Sequence, residues 1–242
     1  MTPAGAPRTE PALWRGKLLV ATTNPNKLKE IRPLLEAPRH GAPSGAGALE
    51  LLTLADVAPV PEPAETGATF RENARIKALA YAAATGLTTV AEDSGFAIEA
   101  LDGEPGVQSA RFLGPDASYE ERFAEIYRRL AGRPSSARFV TALAVATGHT
   151  VLFETETTVE GTVADAPRGE HGFGYDPIFY YPPLTKTTAE LTLSEKAAVS
   201  HRARAFRDLR RWLERGPFLT PGQGRGARVR VSAPGLLPMA VR

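Results

Sequence analysis

Residues 137–147, ARFVTALAVAT, are separated from residues 150–163, TVLFETETTVEGTV, by Gly148 and His149 alone. Both runs read as strands, and a two-residue connection containing glycine turns one strand directly back on the next. A hairpin of this length commits the chain to a sheet with antiparallel neighbours. At 17–22 the chain reads KLLVAT, a buried strand, followed by Asn24-Pro25, an N-cap and first-turn pair, and by Leu28, Ile31 and Leu35 at helical spacing. Strand-turn-helix units beside a long hairpin predict an α/β fold: a mixed β-sheet with flanking helices. A strictly alternating parallel fold is disfavoured.

The remaining elements follow from caps and breakers. Pro33 lies inside the first helical pattern and should kink or shorten it. Residues 37–48, APRHGAPSGAGA, read as a loop, and ELLTL (50–54) as a short strand. Thr69 with Glu72 is a capping box opening a helix that stops at Gly86, and Ser118 with Glu121 opens another that stops at Gly132. LTTVAE (87–92) and FAIEAL (96–101) are strand-like runs, with the turn-forming triplet DSG between them. A last helix is expected from near Ser194, burying Val199, Phe206, Leu209 and Leu213.

Composition narrows the chemistry. With 242 residues the chain can build one sizeable core or two lobes around a cleft. It contains no Cys, so thiolate nucleophiles, thiolate metal sites and disulfides are excluded. The amino terminus lacks the apolar core of a secretory signal and no stretch is apolar enough to span a bilayer, so a cytoplasmic protein is expected, with no membrane partner. The formal net charge is +2, but the positive charge sits at the ends: four Arg and no acid from Gly216 onward, and Arg8 and Arg15 against Glu10 in residues 1–15. The body between them is net negative, which does not advertise a nucleic-acid face. These shifts divide the chain into an N-terminal extension (1–15), one catalytic-sized domain (16–215) and a Gly/Pro/Arg-containing tail (216–242). RNA contact through that tail is the alternative this composition leaves.

Several polar residues sit where chemistry can be done. Thr22, Thr23, Asn24, Pro25, Asn26 and Lys27 join a strand to a helix N-terminus, whose free N–H groups and partial positive charge suit phosphate. The alternative is that Asn24 caps a surface helix and Lys27 is solvated. Asp93, beside Ser94, can hold Mg²⁺ or take a proton from water, or else form an Asx-turn in an ordinary hairpin. Strand alternation argues that Glu92 and Asp93 do not both enter one site unless the strand has already turned at Asp93, which is the better candidate of the two. Glu65, in an irregular segment, is a second possible metal ligand or a solvated acid, and Lys77, on an otherwise Ala-, Ile- and Leu-rich helix, is a phosphate contact or a surface lysine. The glycines around Phe173, Gly174, Tyr175 and Asp176 permit close approach to a ligand, with one ring as a stacking surface; the alternative is a loop with a core aromatic. Lys196, His201 and Arg202 bring three nitrogen-bearing side chains to the last helix, and His201 and Arg202 can donate to purine carbonyl oxygens and so reject adenine.

In this order along one chain, ATTNPNKLKEI, ETGATFRENARIKA, AEDSG, PGVQSARF, GFGYDPIF and LSEKAAVSHR resemble the non-canonical purine NTP pyrophosphatases, the inosine/xanthosine triphosphatase family. The resemblance runs from about Lys17 to Glu214. It implies a two-lobed, inosine triphosphatase-like fold with a central cleft, and Mg²⁺-dependent hydrolysis of inosine, deoxyinosine and xanthosine triphosphates to monophosphate and pyrophosphate by a homodimer. Carried over residue by residue, it implies that Thr22 to Lys27 bind phosphates, that Asp93 is proton acceptor and metal ligand, and that Glu65 is a second metal-site acid. Lys77 becomes a phosphate contact, and Ser94, Phe173 to Asp176, Lys196, His201 and Arg202 shape the nucleotide pocket. Glu92 departs from the family's usual Asp, and Pro33 from its usual first helix. Two other readings stand beside it: a related pyrophosphatase preferring pyrimidine or modified bases, and a nucleotide-binding protein without turnover.

Overall fold

The computed structural model describes residues 16–36 and 49–215. The N-terminal extension, the 37–48 loop and the tail beyond 215 lie outside the described residues. Leu18, Leu19 and Val20 are all buried, as an apolar run in a strand covered on both faces must be. They form β1 (Gly16–Val20), parallel to β2 (Leu49–Thr53) on one side and to β3 (Thr88–Ile98) on the other. The hairpin forms as the sequence predicts, as β4 (Ser136–Thr147) and β5 (Thr150–Val163), with β4 antiparallel to β3. Short β6 (Phe179–Tyr181) and β7 (Lys186–Thr187) complete a mixed seven-stranded sheet of order β2-β1-β3-β4-β5-β6-β7.

Alternation along β1, β3 and β4 decides which helix covers which face. Leu18, Val20, Val90, Leu143 and Val145 point to the side taken by α1 (Pro25–Glu36) and α5 (His201–Arg215), packing on Ile31, Leu35, Phe206 and Leu209. Leu19, Ala21, Ala91, Ala142 and Ala144 point the other way, where small side chains let α2 (Phe70–Thr85) lie close through Ala74, Ala78 and Tyr81. Further along β3 and β4 a separate aromatic core gathers Phe96, Phe139, Phe179 and Tyr175 against Phe123 and Ile126 of α3 (Tyr119–Leu130). Two lobes therefore share β3 and β4, with a cleft where one core gives way to the next. The capping boxes at Thr69/Glu72 and Ser118/Glu121 both form. No helix among the described residues is long and apolar enough to cross a membrane.

Three expectations need correction. The DSG triplet is not a turn: β3 runs through it unbroken, with Asp93, Ser94 and Gly95 paired to Ala142, Thr141 and Val140. Gly95 serves close packing instead, because a Cβ there would lie 2.5 Å from both the Gly106 carbonyl oxygen and Ser109 Oγ. Pro33 does not shorten the first helix, which continues to Glu36 and buries Leu35. The last helix is two helices. α4 (Leu193–Val199) is capped by Thr192 with Glu195, and Ser200 is extended at φ −66° and ψ 153° before α5 begins. Ser200 Oγ then accepts from Ala203 N at 3.2 Å, a second N-cap hidden inside an apparently continuous helical pattern.

Candidate active site

β1 stops at Val20 while β3 continues to Ile98, and the two pair only as far as Val90. Beyond Val90 the β1-facing edge of β3 has no strand partner among the described residues, so the sheet carries a notch at the carboxyl end of β1. α1 leaves β1 over one face and α2 enters β3 over the other, which makes this a topological switch point, where open α/β sheets leave room for ligands. A cleft opens there, bordered by the start of α1, by Lys77 of α2 and by Glu92 and Asp93 of β3. The expectation that Glu92 and Asp93 would not share a site is corrected by this notch. They do point to opposite faces, but an edge without a neighbouring strand exposes both to one cleft.

On the α2 side, Asp93 Oδ2 accepts from Asn73 Nδ2 at 3.0 Å, and Lys77 Nζ lies 3.6 Å from Oδ1. Asn73 is held in that sense because Gly67 N donates to its Oδ1 at 2.8 Å. Asn73 and Lys77 are one turn apart on a stripe otherwise made of Ala74, Ala78, Tyr81 and Ala82, so the packing of α2 buries both. Lys77 Nζ also donates to Glu65 Oε1 at 2.6 Å, and Arg111 Nη1 donates to Glu65 Oε2 at 2.8 Å. Burial raises the Asp93 carboxyl above its ordinary range, against the pull of Lys77. Burial also works to raise Glu65, but the hydrogen bond and charge of Lys77, and then those of Arg111, bring it below the ordinary value.

On the opposite side runs a chain of ion pairs, buried at Glu92, Arg202, Lys196 and Asp176 and half-buried at Lys27 and Glu30. Lys27 Nζ lies 3.2 Å from Glu92 Oε1, and Arg202 Nε is shared between the two Glu92 oxygens at 2.9 and 3.1 Å. Arg202 continues to Glu30 at 2.5 Å and to Ser94 Oγ at 3.0 Å. Lys196 joins Glu30 at 2.7 Å to Asp176 at 2.5 Å. Three cations and three carboxylates thus tie α1, β3, α4, α5 and the 172–178 segment together. Burial alone would raise the Glu92 carboxyl, but Arg202 and then Lys27 overcome it and hold the group at about 2.

The aromatic wall is built from the second lobe. Phe173 presents its ring to the cleft with Lys196 Nζ 5.1 Å and the Arg202 guanidinium carbon 5.3 Å from its centroid. Tyr175 is a core residue: its ring stacks on Phe96 at 5.2 Å and its hydroxyl donates to the Ser109 carbonyl at 2.9 Å. Asp176 anchors the segment, accepting from Phe173 N at 2.7 Å and from Thr188 Oγ1 at 2.8 Å. A Cβ on Gly172, at φ +75°, would strike its carboxylate at 2.1 Å, so only glycine admits this approach. Gly174 turns at φ +68°.

His201 stacks on Phe139 with ring centroids 4.6 Å apart and planes 11° from parallel. Burial pushes its imidazole well below the usual 6.5, and Arg202, Lys196 and Lys27 push the same way. The folded protein therefore keeps His201 neutral where the unfolded chain takes up a proton. Stability is unaffected by this group above pH 6.5 and falls as the pH drops below it, by up to about 1.4 kcal/mol per pH unit. Urea unfolding between pH 8 and pH 5 is expected to show this loss, and His201→Phe, which keeps the stack, is expected to flatten it. Equal slopes in the two proteins would remove the assignment.

The first wall mixes both readings that the sequence leaves open. Asn24 does cap α1, its Oδ1 accepting from Asn26 N at 2.9 Å and Lys27 N at 3.3 Å, while Thr22 Oγ1 accepts from Asn24 N. Lys27, however, is half-buried and paired with Glu92. Thr22, Thr23, Asn24 and Lys27 face the cleft, whereas Pro25 and Asn26 belong to the first turn of α1 and do not line it. Glu65, Lys77, Asp93, Ser94, Phe173, Gly174, Asp176, Lys196, His201 and Arg202 are brought together there, with Tyr175 behind them. Sequence reasoning misses Glu30, Asn73 and Arg111. Glu30 is detectable in principle, one turn after Lys27 and beside buried Ile31 on the inward stripe of α1.

The sheet order and the notch define an α/β protein with two lobes and an acid- and cation-lined crevice at its switch point. A profile of the Ham1 family matches residues 18–212, and the chain belongs to the Ham1 family. It is 46% identical over 194 residues to a dITP/XTP pyrophosphatase of an Exiguobacterium species, covering 80% of this chain and 94% of that one. It is 47% identical over 205 residues to the dITP/XTP pyrophosphatase of Thermus thermophilus, covering 83% and 93%. The Ham1 protein of Staphylococcus aureus superposes with a TM-score of 0.72 at 34% identity, covering 82% of this chain and 98% of that one.

Proposed function

We propose that this protein is a hydrolase of the acid-anhydride class that cleaves ITP, dITP and XTP to the nucleoside monophosphate and pyrophosphate, cleansing the nucleotide pool. The observation that carries the reading is the position of Asp93. Its carboxylate borders the same cleft as Lys77, Lys27 and the start of α1, so an acid and a set of cations face one space. The names of relatives at 46–47% identity over most of the chain support the same reaction. Residues 16–215 form the catalytic domain in this reading, cytoplasmic and homodimeric, and light scattering tests the assembly.

A triphosphate carries about four negative charges, and these must be offset before water can approach phosphorus. Thr22, Thr23 and Asn24 donate to phosphate oxygens beside the start of α1, and Lys27 and Lys77 supply full charge. Asp93 takes the proton of the attacking water, held in place by Asn73. The base lies against Phe173, and Arg202, His201 and Lys196 surround its polar edge, with Ser94 steadying Arg202. A buried donor set aimed at carbonyl oxygen leaves groups unpaired when the 6-substituent is the amino group of adenine.

Glu65 and Asp93 fit Mg²⁺ by their chemistry: both offer hard carboxylate oxygens, both sit on Lys77, and both border the cleft. Among the described residues no three His, Cys, Asp or Glu side chains gather into a protein-only cage. Mg²⁺ commonly takes one or two carboxylates and completes its shell with substrate oxygens and water. Bound there, Mg²⁺ supplies charge neutralisation at the polyphosphate. A panel of ITP, dITP, XTP, GTP, ATP, dUTP and dCTP, with and without Mg²⁺, tests the assignment. ITP and XTP are expected to yield pyrophosphate at least about a hundredfold faster than ATP. Equal rates for ITP and ATP overturn the purine specificity, and tight binding without product overturns the hydrolase.

A further inference from the structure

Arg111 is absorbed neither by the fold nor by the mechanism above. The backbone that carries it is fixed against β3 beside the acid. Phe96 N donates to Ser109 Oγ at 2.8 Å, Tyr175 Oη donates to the Ser109 carbonyl at 2.9 Å, and Gly95 allows the 106–109 segment to approach. The side chain is the exposed part: it is 42% exposed and reaches Glu65 at the cleft. Glu65 therefore has a cation on each oxygen, Lys77 on Oε1 and Arg111 on Oε2. The charges of Lys77, Arg111, Glu65 and Asp93 balance to zero, so these four groups already neutralise one another.

A divalent cation attracted to Glu65 and Asp93 must compete with these two resident cations. Lys77 has little room to leave, because it is buried on α2 and also faces Asp93. Besides Glu65, Arg111 donates from Nε to Gln108 Oε1 at 3.4 Å, a long contact that an exposed side chain on an anchored backbone can give up. Its planar fork suits phosphate oxygens better than a point charge does. We propose that Arg111 exchanges partners on binding: it neutralises Glu65 in the free protein and transfers to the outer phosphates of the substrate when Glu65 turns to a divalent cation. Arg111 is then a substrate-positioning residue that opposes the metal before the polyphosphate arrives and cooperates with it afterwards. This rests on the pyrophosphatase reading for the identity of the substrate, but not for the competition at Glu65.

The two halves predict effects of opposite sign for one substitution. In the full-length protein, Arg111→Gln is expected to bind Mn²⁺ alone about three- to tenfold more tightly by electron paramagnetic resonance, since a resident competitor is gone. The same variant is expected to bind inorganic tripolyphosphate with Mn²⁺ about tenfold more weakly by calorimetry, since a charge-assisted contact is lost. Inosine monophosphate, which lacks the outer phosphates, should bind as to wild type, and Arg111→Lys should fall between the two on both measurements. Affinities for Mn²⁺ and tripolyphosphate that move in the same direction, or neither moving, overturn the exchange. Failure of the wild type to hydrolyse any triphosphate removes the pyrophosphatase reading instead, and leaves the two binding measurements to decide the role of Arg111.

Discussion

The Asp93→Asn protein is expected to bind ITP in the presence of Mg²⁺ and to hydrolyse it about 10²–10⁴-fold more slowly than wild type. Asparagine has the shape of the carboxylate, so β3 keeps its register and Asn73 still meets an oxygen there. The substitution removes the basic oxygen. Burial raises the affinity of the Asp93 carboxylate for a proton and Lys77, 3.6 Å away, works against that effect, so the group is a stronger base than a surface aspartate and has a cation beside it. An acid with both properties, beside cations that gather phosphate, is suited to deprotonating water.

The same substitution removes one of the two oxygen ligands proposed for Mg²⁺, so the loss must be divided between two roles. Raising Mg²⁺ restores a defect of metal affinity and leaves a defect of proton transfer untouched. Asn73→Ala provides the companion test. It leaves the charge of Asp93 in place and removes the amide that fixes its direction, so a drop of about tenfold in kcat with little change in KM is expected. An Asp93→Asn protein that keeps more than about a tenth of wild-type kcat at saturating Mg²⁺ removes Asp93 from the chemistry.

What was legible in the sequence was local or periodic. The hairpin at Gly148-His149, the capping boxes at Thr69 and Ser118 and the start of α1 at Asn24 are written in adjacent residues, and all form. The triplet DSG misleads because its local preference for a turn is overridden by ladder pairing with β4 and by packing of the 106–109 segment. The break at Ser200 hides because the apolar spacing continues across it, while the cap is made by a single serine. Glu30, Asn73 and Arg111 escape for another reason. Each acts through a partner far along the chain, as Glu30 does on Arg202, and one sequence carries no record of which buried acid meets which base.

Replacing Glu92 with Gln is expected to cost the fold about 3–5 kcal/mol, because it leaves a buried guanidinium without its main counter-charge. Glu92 is 3% exposed and Arg202 2% exposed, so water cannot take over the missing interaction. Three of the four nearest partners of Arg202 are acid oxygens, two from Glu92 and one from Glu30. For a domain of this size the loss corresponds to a Tm lower by about 10 °C. The penalty comes from the unpaired charge and not from the absence of an attractive pair. Removing both partners, as Glu92→Leu with Arg202→Met, is therefore expected to recover at least half of the lost Tm. Lys27 accommodates the change because it reaches the cleft and so keeps a route to solvent. The double variant should nevertheless be inactive on ITP, since Arg202 has left the base pocket. A Glu92→Gln protein that melts within about 2 °C of wild type shows the chain of ion pairs to be dispensable for the fold, and a double variant no more stable than the single shows the cost to lie in lost packing instead.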